Sequence, residues 1–315
     1  MRILITGAAG NLGAFLTKEL LTSSHQLQLL IHQRELPFSI SGCPNATVVR
    51  ADLSQPTALP PVCRKVDCIV HFAGVLFAPR PEEFLPQTNL GYVKNLVAAA
   101  QVEHVRKFIL ISFPHVEGET FPERPATNRL DAFPNSVHAQ TRLAAEKHLV
   151  ATCGGMEMIP VILRAGMIYG RGVLMIEAAR WLLKHRLLAI WPEPTWEHLL
   201  ALPDFLGAVV AAIENPKAAG IYNVADDSPM TLQQFLDTIA MHWGYAKPWR
   251  CPRWMFPLAG AGCELFASVF GTKSPLTRDF IKIGMVSSVA HTARMKRELL
   301  PQLAYPSLKQ GMTLL

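Results

Sequence analysis

A glycine-rich turn stands between the first apolar stretch of the chain and an amphipathic helix. Residues 2–6 lead into Gly7, Gly10 and Gly13, and no helical residue is expected before Asn11. At this spacing the first glycine permits a tight turn, the second lets phosphates approach the backbone, and the third lets the helix pack on the sheet. Free N–H groups at the helix start then face an anion. The turn predicts a bound dinucleotide, and a structural turn without a ligand is the alternative.

The residues after the second predicted strand, 27–31, bear on which dinucleotide binds. An acidic residue commonly holds the ribose of NAD at this point, whereas this sequence has His32, Gln33 and Arg34. An arginine here suits the additional phosphate of NADP. We therefore expect NADP rather than NAD, with His32 and Arg34 beside that phosphate.

Two further predicted strands end in residues that would reach the same ligand. The stretch 47–51 runs into Asp52, and the stretch 68–72 runs into Ala73 and Gly74. The carboxyl ends of parallel strands form the edge of the sheet where ligands collect. Asp52 is expected to accept a hydrogen bond from an adenine amino group, and the backbone of Ala73 and Gly74 to pass close to the cofactor.

Apolar stretches alternate with helices through the first two thirds of the chain. This pattern is typical of an α/β fold with a Rossmann-like, doubly wound parallel sheet. We expect residues 1–170 to form a dinucleotide-binding domain, with 200–226 returning to it. Residues 171–199 and 227–315 would then form a smaller, mostly helical C-terminal substrate lobe.

Several helix assignments can be made in the second half of the chain. Thr231 and Gln234 have the spacing of a capping box, in which each side chain accepts from the other residue's backbone N–H. Asp204 is expected to cap a helix over residues 205–214. Residues 254–270 are apolar but interrupted by proline and glycine, which predicts a buried helix or helix pair.

Composition and cysteine usage exclude several classes of protein. Of the 315 residues, 50% are hydrophobic and 17% are charged, which excludes a disordered chain. The six cysteines are scattered without a Cys-x-x-Cys pair, as expected for reduced thiols in the cytoplasm. No side chains have metal-ligand spacing, so no metal is expected, and the apolar start is too short for a secretory signal.

Positive charge is concentrated at the C-terminal end. From residue 247 onward ten lysines and arginines face three acidic residues, a net charge of +7, whereas the whole chain carries +6. A basic lobe suits an anionic small-molecule substrate, or is a solvated face. Residues 254–270, with basic flanks, suggest a peripheral membrane contact as an alternative. No dense basic stripe is present, so nucleic acid is not expected, and a homodimer is left open.

Five ordered motifs extend along most of the chain. They are Thr6-Gly7-x-x-Gly10-x-x-Gly13, Asp52-Leu53, His71-x-Ala73-Gly74, Asn89-x-Gly91 and Arg164-x-Gly166-x-x-Tyr169-Gly170. In this order they resemble the extended short-chain dehydrogenase/reductase superfamily, in particular its NAD(P)-dependent epimerase/dehydratase group. With the residues above, the resemblance implies cofactor contacts by Thr6, Gly7, Ala9, Gly10, Asn11, Leu12, Gly13, His32, Arg34, Asp52, Leu53, Phe72, Ala73, Gly74, Asn89, Ser112 and Arg142.

The catalytic triad of that family is replaced. Members carry a Ser or Thr after the fifth strand and a Tyr-x-x-x-Lys on the next helix, where this chain has Phe113, His138 and Arg142. Ser112 matches the more structural residue before the family's hydroxyl. Arg142 lies one helical turn from His138 and can still donate to a ribose or a phosphate. Its charge would also keep the imidazole neutral.

Two functions are compatible with this pattern. The first is a divergent oxidoreductase or isomerase that acts on a carbonyl compound or nucleotide sugar without the usual triad. Its acid or base would come from one of five side chains: His138, His115, Glu117, Tyr169 or His198. The alternative is a non-catalytic NAD(P)H-binding structural or sensor protein.

Overall fold

The computed structural model describes residues 1–74, 80–155, 157–270 and 277–315. Its strands are β1 (Arg2–Thr6), β2 (Gln26–Ile31), β3 (Ala46–Arg50), β4 (Cys68–His71), β5 (Lys107–Ser112), β6 (Ile159–Ala165), β7 (Met167–Tyr169), β8 (Ala189–Ile190), β9 (Trp196–Glu197), β10 (Leu199–Ala201), β11 (Gly220–Val224), β12 (Met230–Thr231) and β13 (Trp249–Arg250).

Helices connect these strands. They are α1 (Asn11–Leu20), α2 (Pro60–Cys63), α3 (Pro81–Leu85), α4 (Tyr92–Val102), α5 (Val137–Cys153), α6 (Leu174–Lys184), α7 (Leu202–Glu214), α8 (Leu232–His242), α9 (Met255–Phe270), α10 (Arg278–Gly284), α11 (Ala293–Glu298) and α12 (Leu308–Gly311). A π-helical turn at Pro86–Gly91 precedes α4, and short 3-10 turns lie at Pro56–Ala58, Pro114–Glu117 and Met312–Leu314. None of the helices in the described ranges is long and apolar enough to cross a membrane.

The central sheet has the order β3-β2-β1-β4-β5-β6-β11, and every pairing in it is parallel. Side chains of β1 alternate between two cores, because successive residues of a strand point to opposite faces. Ile3 and Ile5 join the core that contains Phe205 of α7, whereas Leu4 joins the core that contains Val93 of α4. All three β1 side chains are fully buried. The predicted doubly wound α/β fold is therefore confirmed.

The chain returns to the sheet after its first excursion into the C-terminal half. Strand β11 pairs with β6 through five residues, and α7 precedes it in the chain. The prediction that Asp204 caps a helix at residue 205 is wrong, because α7 begins at Leu202 with Ala201 at its N-cap. The Asp204 carboxylate instead accepts from the backbone N–H groups of Ala304 and Tyr305, at 2.7 and 2.9 Å.

Helix α8 begins as predicted. The Thr231 hydroxyl accepts from the Gln234 backbone N–H and the Gln234 side chain accepts from the Thr231 N–H, so the capping box is complete.

The apolar helix near the C-terminus is only partly buried among its described side chains, whereas the prediction had it buried. Helix α9 is a single helix, in which Pro257 is tolerated because it lies in the first turn. Leu258 and Leu265 are 63% and 67% exposed, and Trp254 just before the helix is 65% exposed. Phe256 provides one of its inward contacts, against the edge of the Trp191 ring. Hydrophobicity alone misled the prediction, because it does not tell which side of a helix finds a partner.

A buried lysine caps the C-terminal end of α7. The Lys107 ammonium, on β5, donates to the carbonyl oxygens of Ala212, Ile213 and Asn215 at 2.8, 3.3 and 2.7 Å. These carbonyls lie at the helix C-terminus, where intrahelical donors run out and a cation is favoured. Burial lowers the pKa of Lys107, so the bonds to the carbonyls offset a desolvation cost.

We expect Lys107→Met to lower the free energy of unfolding by about 3 kcal/mol, because several buried carbonyls lose a charged donor. The exposed Lys147→Met on α5 is the matched control and should change it by less than about 0.5 kcal/mol. Urea denaturation measures both. Equal effects of the two substitutions would contradict the capping role of Lys107.

Candidate functional site

The glycine turn has the backbone that a bound anion requires. Gly7 has a φ of +72°, and a Cβ atom there would lie 2.9 Å from the backbone nitrogen of Ala73. A Cβ atom on Gly13 would lie 2.3 Å from the Gly7 carbonyl oxygen. Helix α1 begins at Asn11, and no side chain in the described part of the chain caps it. The N–H groups of its first turn are therefore left facing outward at the carboxyl end of β1.

The side chains within the turn are used by the fold. Asn11 donates through Nδ2 to the Gly172 carbonyl at 2.8 Å and accepts through Oδ1 from the Leu174 N–H at 2.9 Å. Leu12 packs against the core. Asn11 and Leu12 could therefore contact a ligand only through their backbone atoms. The Asn11 side chain holds the start of α6 against the turn.

The predicted adenosine side of the site is assembled from the ends of β2 and β3. Asp52 accepts from the Ser54 N–H at 2.8 Å, and its Oδ2 lies 3.8 Å from His32 Nε2. The hydrogen bonds from Ser54 lower the pKa of the Asp52 carboxyl. Leu53 is buried in the core, and Arg34 is exposed. His32 and Asp52 are thus brought together, while the Arg34 side chain is exposed to solvent.

Arg50 was missed by sequence reasoning. It ends β3 and donates to the His32 carbonyl and to the Glu35 carboxylate. Its charge is therefore already paired beside the predicted phosphate site. A basic residue at the carboxyl end of a strand was the available signal.

The opposite end of the candidate site lies around Gly74. A Cβ atom on Gly74 would be 3.1 Å from Arg142 Nη2 and 3.5 Å from Asn89 Oδ1. Asn89, on the π-helical turn, donates to the Thr141 hydroxyl at 2.9 Å. Phe72 packs edge-on against Phe205, with ring centroids 6.2 Å apart. Gly74, Asn89 and Arg142, which lie far apart in the sequence, therefore meet at one place on the edge of the sheet.

Four buried polar atoms at this end have no hydrogen-bond partner among the described residues: Arg142 Nε, Asn89 Oδ1, Thr88 Oγ1 and His71 Nε2. Arg142 is 8% exposed. Burial lowers its pKa to about 10, so the guanidinium is still charged at neutral pH. Buried polar groups are normally paired, which makes this cluster a candidate ligand contact.

His138 is a neutral, enclosed side chain. Its ring lies 5.1 Å from the Phe113 ring, and its Nδ1 is 3.4 Å from Asn89 Nδ2. Burial, with smaller contributions from Arg142 and His115, lowers its pKa to about 3. The effect of Arg142 has the predicted direction. An imidazole that is neutral at pH 7 has no imidazolium proton to donate, which disfavours a general-acid role for His138.

The N-terminus of α5, which carries His138, is held by the C-terminal half of the chain. The Asp279 carboxylate on α10 accepts from the N–H groups of Val137 and His138 at 2.7 and 3.2 Å. Ser136 accepts from the Ala139 N–H at 3.1 Å. Sequence reasoning missed Asp279, because a carboxylate that caps a helix 142 residues away leaves no local signal.

Three other candidate acids or bases are used structurally. Glu117 accepts from the Thr127 and Asn128 N–H groups at 3.0 and 2.7 Å. Tyr169 is fully buried, which raises the pKa of its phenol. His198 Nδ1 accepts from the Ala290 N–H, which leaves Nε2 to donate to the Asp226 carbonyl. Burial lowers the pKa of His198 to about 4.

His115 is the candidate that packs, like His138, against the Phe113 ring. Its ring is 5.6 Å from Phe113, and its Nε2 lies 3.5 Å from Glu197 Oε1. A cavity of about 20 Å³ opens beside it, bordered by Ser136 and Lys282. Such a volume is about that needed for one water.

A buried ion network supports α5 and was also missed. Arg164 on β6 is fully buried and bonds to Glu146 and Glu117, and the Ser112 hydroxyl donates to Glu146. Ser112 lies directly opposite Arg164 in the strand register. A charged residue within an apolar strand was the signal, because such a residue needs a buried partner.

The family is identified by comparison with known proteins. Residues 3–225 match the model of the NAD dependent epimerase/dehydratase family. The chain belongs to this family. The finding agrees with the resemblance carried by the glycine turn and the later motifs.

Individual relatives are distant. A UDP-glucose 4-epimerase of Vibrio cholerae is 24% identical over 286 residues, 88% of this chain and 84% of that protein. A 3-beta-hydroxysteroid dehydrogenase of Mycolicibacterium neoaurum is 26% identical over 180 residues, so the match spans 48% of its length. The structure of UDP-glucuronic acid 4-epimerase from Bacillus cereus, in complex with UDP-glucuronic acid and NAD, is similar with a TM-score of 0.76 at 19% identity, covering 100% of this chain and 97% of that one.

The candidate site fits the dinucleotide on which the family depends. The first turn of α1 suits a pyrophosphate, and the four buried polar atoms without a partner among the described residues would supply donors and acceptors for a ribose and an amide. Among the described residues, no three His, Cys, Asp or Glu side chains cluster as metal ligands would.

We expect His71 to make stability dependent on pH. The ring is fully buried, its Nδ1 is 2.8 Å from the Thr6 hydroxyl, and burial with the nearby Arg142 charge lowers its pKa from 6.5 to about 3. Because the unfolded chain takes up the proton first, folded-state stability is lost as pH falls below 6.5. The loss from this residue reaches about 2 kcal/mol at pH 5.

The measurement is the difference in unfolding free energy between pH 7.5 and pH 5. His71→Asn keeps an acceptor for Thr6 and should make this difference smaller by about 2 kcal/mol. His291→Asn, at an exposed position, is the control and should leave it unchanged. An unaltered pH difference in His71→Asn would show that His71 does not titrate between these values.

Proposed function

We propose that this protein binds an NAD(P) dinucleotide along the carboxyl edge of its sheet. In the proposal it acts as a divergent oxidoreductase or isomerase on a carbonyl compound or nucleotide sugar. The observation that carries the proposal is the charged guanidinium of Arg142, buried beside Gly74 with its Nε unpaired among the described residues. A buried cation is costly unless a partner offsets its desolvation.

The chemistry assigned to this end of the site rests on Arg142 and Asn89. A bound nicotinamide would supply the hydride donor or acceptor. Arg142 would donate to a ribose hydroxyl or a substrate oxygen, and the unpaired Asn89 Oδ1 would accept from a hydroxyl. Positive charge beside a reacting oxygen stabilises the negative charge that develops there. Arg142 thus retains the anchoring role that the resemblance assigns to its position.

His138 and Phe113 are proposed to form a wall of the site. The imidazole is neutral and 5% exposed, which disfavours a proton-transfer role. The proton that balances hydride transfer to a carbonyl would then come from solvent. An enzyme of this kind would work without the family's tyrosine.

We further propose NADP as the preferred dinucleotide. Arg50 is paired with Glu35 and the His32 carbonyl, whereas Arg34 makes no ion pair in the described part of the chain. Arg34 is therefore available for a 2′-phosphate. In the proposed domain division, one domain contains residues 1–170 and 200–226, and a lobe contains residues 171–199 and 227–315. This lobe would close the remaining side of the site.

Calorimetric titration with NADPH and NADH tests this preference. We expect NADPH to bind at least about tenfold more tightly, the value of one charge-assisted contact. Arg34→Gln should remove most of that difference without weakening NADH. Arg2→Gln, an exposed arginine at the far end of β1, is the control. Equal affinities in the unaltered protein would overturn the preference for NADP, and no binding of either would overturn the dinucleotide site.

A non-catalytic NAD(P)H-binding structural or sensor protein is the second candidate function. The enclosure of His138 under Phe113 favours it, as does the cavity of only about 20 Å³ beside His115. In this case the dinucleotide would bind without being turned over.

Absorbance of NADPH in the presence of a carbonyl and sugar-nucleotide panel separates the two functions. For the oxidoreductase we expect turnover whose pH profile has no inflection from His138 between pH 5 and 8, since the pKa of that ring is about 3. Arg142→Met should lower hydride transfer at least about a hundredfold, whereas Arg142→Lys should retain more. Tight binding without turnover on the whole panel would favour the non-catalytic function.

A further inference from the structure

A second pocket, of about 270 Å³, lies away from the glycine turn. It opens between the C-terminal end of α6 and residues 246–250, which include β13. Leu183 and Leu188 provide apolar lining, and Leu183 is almost fully buried. We call it the basic pocket, because Arg186, Lys247 and Arg250 also line it.

Strand pairing fixes the shape of the basic pocket. The Trp249 N–H donates to the Leu188 carbonyl at 3.0 Å, and β13 pairs in parallel with β8. The Trp249 indole Nε1 donates to the Arg186 carbonyl at 3.0 Å, while 61% of this residue is exposed. Arg186 itself has a φ of +57°. The Trp249 ring is therefore held at the opening of the basic pocket by hydrogen bonds to the backbone of the segment that follows α6.

The charges of the basic pocket are only partly neutralised. Asp237 faces Arg250 at 2.8 Å and Lys247 at 3.6 Å. Arg186 makes no ion pair among the described residues. Three cations against one carboxylate leave a net charge of +2. A phosphate monoester carries nearly two negative charges at neutral pH, and arginines bind its oxygens through paired hydrogen bonds.

The size and lining of the pocket limit the rest of the ligand. An apolar cavity of about 150 Å³ is enough for a benzene ring. A volume of about 270 Å³ therefore accommodates a ring or short apolar group together with one phosphate, and it is too small for a dinucleotide. Leu183, Leu188 and the face of Trp249 would contact the apolar part.

Helix α6 separates the basic pocket from the glycine turn. The Leu174 N–H donates to Asn11 at the turn, and the pocket lies at the other end of this helix of 11 residues. At 1.5 Å per residue the two are about 16 Å apart.

We propose that the basic pocket binds an organic phosphate monoester whose ester group is aromatic or aliphatic. The ligand is either a free metabolite or the headgroup of a phosphomonoester lipid. Both have the same chemistry, and the apolar Leu187 and Trp249, 60% and 61% exposed beside the pocket, suit either source.

Phenyl phosphate is the probe for the free ligand, measured by calorimetry on the full chain with and without saturating NADPH. We expect binding that NADPH does not displace. Arg186→Asn, which tolerates the positive φ, should weaken it at least about tenfold, the effect of one charge-assisted contact. Lys184→Gln removes the same charge two residues away, outside the pocket lining, and should change the affinity by less than about twofold.

Flotation with vesicles distinguishes the two sources. Retention on phosphatidylcholine vesicles that contain phosphatidic acid, but not on those that contain phosphatidylglycerol, identifies a lipid headgroup, and Arg186→Asn should abolish it. Phenyl phosphate binding without flotation identifies a free metabolite. The proposal is overturned if phenyl phosphate and phosphatidic acid both fail to bind, if NADPH displaces the probe, or if Lys184→Gln weakens binding as much as Arg186→Asn.

Discussion

The buried ion network around Arg164 holds the candidate site in place. Arg164 lies on β6, Glu146 on α5 and Glu117 in the turn after β5, and all three side chains are nearly inaccessible to solvent. Removing one partner of such a network leaves an uncompensated charge in the interior, which costs several kcal/mol. The network therefore determines where α5 lies against the sheet, and with it the positions of Arg142 and His138, which lie one and two helical turns before Glu146.

The buried surroundings of α5 affect the charges of His138 and Arg142 differently. Burial keeps His138 uncharged at neutral pH but leaves Arg142 charged. The reason is that the ordinary pKa of an imidazole is 6.5, whereas that of a guanidinium is 12.5. The same low-polarity surroundings thus remove an acid and preserve a cation. In the proposed function this pair would keep the positive charge of the site without the proton donor that the family resemblance leads one to expect.

The elements that were predictable depend on local patterns. The glycine turn, the alternation of strands and helices and the capping box at Thr231 all arise from interactions within a few residues. The predictions that failed depend on distant partners. Asp204 bonds to residues 304 and 305 rather than to its own helix end, and α9 leaves Leu258 and Leu265 exposed although its composition is apolar. Asp279 and Lys107 likewise act on helix ends more than 100 residues away.

The family, the parallel sheet and the position of the glycine turn were predictable from the sequence, and the family resemblance aligns Phe113, His138 and Arg142 with the positions of the triad. These follow from backbone preferences and residue spacing, which are properties of short segments. The tertiary structure was needed to show that His138 is enclosed and neutral, that Arg142 Nε has no partner among the described residues, and that three cations meet at the basic pocket. Burial and charge depend on which segments meet in space, and those segments lie far apart in the chain.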